Sequence, residues 1–101
     1  MTVFLPNFII EEAEAIVENS EYIRLYRERE LFIENSDLRN PVDRMTCRAY
    51  GQLLENEMKI IISILRNSTP RIKWRRNFVE DFASLPVYER TYQRQTRYQI
   101  V

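Results

Sequence analysis

Histidine is absent from this chain, and cysteine and glycine occur once each. Without histidine, the Ser/His and Cys/His arrangements of nucleophilic catalysis cannot be built. Zinc sites made from His and Cys fall with them, because Cys47 alone cannot complete one. A lone cysteine also excludes an internal disulfide framework. One glycine in 101 residues argues against tight hairpins, phosphate-cradling loops and small barrels, all of which draw on positive-φ positions. No apolar run reaches the roughly 18 residues of a membrane-spanning helix. The opening "MTVFLPNFII" lacks a basic stretch and runs into Glu11 and Glu12, unlike a secretory signal. The expectation is a cytoplasmic, non-membrane protein without a cofactor.

What remains is rich in helix formers. The apolar share of 45% is that of a folded globular chain, and Leu, Ile, Glu and Arg are plentiful. The length fits a single domain over 1–101 with a modest core. A net charge of zero conceals a gradient. Residues 1–37 hold nine acids and three arginines, whereas residues 66–101 hold eight cations and three acids. Such polarity fits two ends that meet each other, within or between molecules, or a basic half directed at an anionic partner.

The helix signals are legible in order. Asn7 after Pro6, followed by Glu11, Glu12 and Glu14, predicts a helix start with Asn7 as N-cap. "NS" at 19–20 predicts a break, with Ser20 restarting a second helix that carries Tyr22, Leu25, Tyr26, Arg29, Phe32 and Ile33 at helical spacing. Asn40, Pro41 and Asp43 predict the start of a long helix over about 41–65. Arg48, Gln52, Glu55, Lys59 and Ser63 give it a narrow polar strip. Met45, Ala49, Leu53, Ile60 and Ile64 form one apolar flank; Tyr50, Leu54, Met58, Ile61 and Leu65 form the other. A helix apolar on both flanks is packed on more than one side, as a central helix or a subunit interface. The β-branched run "IIISIL" is also compatible with a buried strand. Thr69 and Pro70 repeat the cap pattern and predict a last helix through "RIKWRRNFVEDFASL" up to Pro86. From Tyr92 the chain alternates with period two, which reads as an extended tail or a strand needing a pairing partner. The predicted fold is mainly α, three to four helices around the long one.

Two groups of residues suggest function. Glu11, Glu14 and Glu18 share a helix face and would suit a divalent-metal enzyme, yet a solvated acidic face is the plainer reading. The stretch "RIKWRRNF" (71–78) combines four cations with Trp74 and Phe78, and the tail interleaves Arg90, Arg94 and Arg97 with Tyr88, Tyr92 and Tyr98. Cations beside rings are the tools of single-strand nucleic-acid binding. Arginine and aromatic residues are equally the anchors of protein interfaces. Trp74 and Phe78, four residues apart, would stack inward together on a helix.

The sequence therefore leads to a non-catalytic protein–protein interaction module, such as an adaptor, inhibitor or regulatory subunit. Its expected contact residues are Trp74, Arg75, Arg76, Tyr92, Arg94 and Tyr98, set against an acidic surface on another protein. A homo-oligomer interface is expected through Tyr50, Leu54, Met58, Ile61 and Leu65. Nucleic-acid binding through the same Arg/Trp/Tyr-rich third is the alternative, and the carboxylate-metal enzyme a second one.

Overall fold

The computed structural model describes residues 6–84. They form four helices: α1 (Asn7–Glu18), α2 (Tyr22–Glu34), α3 (Pro41–Ser68) and α4 (Arg76–Ser84). The alternating segment from Tyr92 onward lies outside the described residues.

α1 begins one residue earlier than the Asn7 cap signal implies. Pro6 holds the cap position, and its carbonyl accepts from the Ile9 and Ile10 amides at 3.1 and 3.3 Å; Asn7 makes no side-chain cap. The break between α1 and α2 falls where "NS" placed it. Ser20 Oγ donates to the Val17 carbonyl at 2.5 Å and accepts the Tyr22 amide at 3.2 Å. One hydroxyl thereby bridges the end of α1 and the first amide of α2, although Glu21, and not Ser20, holds the N-cap position. The start of α3 follows the sequence signal closely. Asn40 Oδ1 accepts the Val42 amide at 2.9 Å, Pro41 takes the first helical position, and Asp43 Oδ2 accepts the Asp37 amide at 3.1 Å.

With 28 residues, α3 is about 42 Å long, and the other elements pack along it. Its second half is the core: Leu54, Met58, Ile61, Ile62 and Leu65 are buried against Ile10, Ala13 and Val17 of α1, Tyr22 and Leu25 of α2, and Phe78, Val79 and Phe82 of α4. The run "IIISIL" is thus helical and buried on one side. The first half of α3 holds no fully buried residue and leans on the end of α2, where Phe32 and Tyr50 meet at a centroid distance of 6.0 Å.

The last turn of sequence logic fails at Thr69 and Pro70. Thr69 is the C-cap of α3, its hydroxyl donating to the Leu65 carbonyl at 3.1 Å, and the next helix starts only at Arg76. Between them, exposure alternates. Arg71, Lys73 and Arg75 face solvent while Ile72 and Trp74 are buried. The period-two pattern of "RIKWR" turns both apolar residues inward from an irregular connection, which a helix could not do.

Candidate interaction surface

The connection 69–75 settles where "RIKWRRNF" goes. Trp74 is 3% exposed and packs on Phe78 at 5.4 Å between ring centroids; Phe78 in turn meets Phe82 at 6.3 Å. The indole Nε1 donates to Thr69 Oγ1 at 2.7 Å. The ring is therefore core, available neither for base stacking nor for a protein contact, and the inward pairing of Trp74 with Phe78 is realised without a shared helix. Arg76 forms a two-pronged ion pair with Glu55 of α3: Nη1 donates to Oε1 at 2.8 Å and Nη2 to Oε2. This bond ties α4 to α3 and holds the Glu55 carboxyl below its ordinary range. Of the expected contact set, Arg75 lies on the surface, while Tyr92, Arg94 and Tyr98 lie outside the described residues.

The two apolar flanks of α3 have opposite fates. Leu54, Met58, Ile61 and Leu65, expected at a subunit interface, are 0–8% exposed within the chain's own core, and Tyr50 is half-buried beside Phe32. They are used up internally. The flank left to solvent is the other one: Val42 is 67% exposed, Met45 69%, Leu53 48%, Ile60 54% and Ile64 42%. Val42, Leu53 and Ile64 are spaced by 11 residues, as are Ala49 and Ile60. Eleven residues make close to three helical turns, so these side chains stay on one face from end to end. Single exposed apolar residues are normal, but an aligned row along a 28-residue helix is not.

Charge divides the two sides of this row. On the α1 side, Ile60 and Ile64 join Ala15 and Ile16 in a groove whose charged lining is Glu12, Glu21 and Glu57, with no cation. On the opposite side, Lys59, Ser63, Arg66, Asn67 and Arg76 line a second cleft with three cations and no acid. α1 itself carries four carboxylates and no basic residue. Glu21 is already paired with Arg24 at 2.6 Å, and Arg76 with Glu55.

Glu11 and Glu18 of α1 are exposed, and no group of three or more acidic, His or Cys side chains among the described residues is arranged to hold a metal ion. Cys47 is half-buried. None of the described helices is long and apolar enough to cross a membrane. No protein-family model matches the chain, and neither a curated protein nor a solved structure matches it.

Proposed function

We propose that this protein is a non-catalytic interaction module that works by docking a helix of another chain along the exposed flank of α3, with a second copy of itself as the first such partner. The observation that carries this reading is the apolar row Val42–Met45–Leu53–Ile60–Ile64, each side chain more than two-fifths exposed. Covering such a row removes apolar surface from water at roughly 25 cal/mol per Å², the main driving force of association. This reading places the contact surface on α3 rather than on the Arg/aromatic set expected from sequence, of which Trp74 is buried in the core while Tyr92, Arg94 and Tyr98 lie outside the described residues. The nucleic-acid reading loses Trp74 as a stacking ring for the same reason, while exposed Arg71 and Lys73 keep a basic surface beside it and the tail tyrosines lie outside the described residues.

Sedimentation of the full chain over a range of concentrations tests the proposal. Association is expected, and Leu53→Glu with Ile60→Glu should abolish it while helical content and the melting temperature measured at low protein concentration hold. A wild type that stays monomeric, with dye binding and solubility indifferent to the double substitution, would retire the reading.

A further inference from the structure

We infer that the second copy lies parallel to the first, with α3 against α3 about a two-fold axis that runs along the helices. This rests on the docking reading above and adds its direction, which the charges flanking the row specify. In a parallel two-fold pair, the left side of one row faces the right side of its mate. In an antiparallel pair, each side faces its own copy. The row here has unlike sides, Glu12 and Glu57 on one and Lys59 and Arg66 on the other. Parallel packing places carboxylates opposite cations twice over. Antiparallel packing would set acid on acid along one edge and base on base along the other.

Solvent-exposed ion pairs contribute little to affinity, so the apolar row supplies the attraction. Like-charge juxtaposition is the costlier event, and flanking charges therefore select orientation, as they do beside coiled-coil seams. The geometry of the row agrees. Val42 and Ile60 are 18 residues apart, five full turns, and share one angular position on the helix. Each can meet its own copy across the axis in a parallel pair. The arrangement also brings the two 69–75 connections, with exposed Arg71 and Lys73 on each, to one end of the assembly.

Single-cysteine variants of the full chain decide it. In a Cys47→Ser background, Val42→Cys and Ile60→Cys are made separately, each at an exposed site, and oxidised with copper phenanthroline. Each should form a disulfide-linked dimer alone. Cross-linking only when the two are mixed, or by one variant and not the other, would overturn the parallel arrangement while leaving docking on this flank intact. Neither variant cross-linking in a sample that sediments as a dimer would place the contact elsewhere and overturn it too. A protein that sediments as a monomer throughout would remove the docking reading itself. As a second readout, Lys59→Glu with Arg66→Glu should weaken association on the order of ten-fold, and mixing with a Glu12→Lys, Glu57→Lys chain should restore it. Unchanged affinity would show that the flanking charges do not select the pairing.

Discussion

The indole of Trp74 donates to the hydroxyl of Thr69 at 2.7 Å, five residues back along the chain. The same hydroxyl donates to the Leu65 carbonyl, so one threonine terminates α3 and fixes the tryptophan that roofs the core. Thr69→Val removes both bonds at constant shape. A loss of about 1–3 kcal/mol is expected in urea denaturation, the cost of leaving a buried donor without this acceptor. Trp74 emission should be blue-shifted in the native protein and unresponsive to oligonucleotides.

The two flanks of α3 should respond to truncation very differently. Leu65→Ala empties a fully packed site (1% exposed) and should cost about 2–5 kcal/mol. Leu53→Ala, on the solvent side, should change the stability of the isolated chain by roughly 0.5 kcal/mol or less. Denaturation midpoints measured at low protein concentration keep association from masking the contrast.

Gly51 sits inside α3, and apart from its chain neighbours and the helix's own backbone no atom lies within 4 Å of where a Cβ would stand. No glycine among the described residues adopts a positive φ, so nothing in the backbone requires this one. Gly51→Ala is expected to stabilise the protein by about 0.5–1 kcal/mol through helix propensity and reduced chain entropy, read as a higher melting temperature.

Tyr22 is 5% exposed, and burial, with the Glu80 carboxylate nearby, raises its phenol above the ordinary 10.0. The folded state then holds this proton where the unfolded chain has begun to lose it. Stability is fully present below pH 10 and declines as pH climbs through the raised folded value. Urea midpoints on either side of that pH should show the decline, and Tyr22→Phe should flatten it.

Glu55 behaves oppositely. The Arg76 guanidinium stabilises its carboxylate, so its titration midpoint should fall below the ordinary 4.5. The contribution is present above that ordinary value and is lost as pH drops through the lowered one. Carboxyl NMR shifts follow the titration directly, and Arg76→Gln should return the midpoint toward the usual range.

The cap chemistry of α3 was readable at once, since Asn40 and Pro41 act on backbone groups within a few residues of themselves; at α1 and α2 the signals Asn7 and Ser20 fell one residue from the actual caps, Pro6 and Glu21. Where two local signals competed, the distant contact decided. Thr69–Pro70 has the form of a helix start, but Leu65 lies one turn back and Trp74 five residues ahead, and both claim the hydroxyl. "RIKWR" likewise alternates in exposure only because the core needs Ile72 and Trp74 together.

What the sequence by itself determined is the helical class, the breaks near residues 20 and 40, and the fact that α3 has two apolar flanks. Those follow from periodicity and capping, which are properties of the chain near each residue. Which flank goes inward was decided only by tertiary packing, because the two rows are nearly equal in apolar content and a helix cannot choose between them alone. α1, α2 and α4 cover the Leu54–Leu65 side, and in doing so they leave Val42, Leu53, Ile60 and Ile64 exposed to solvent.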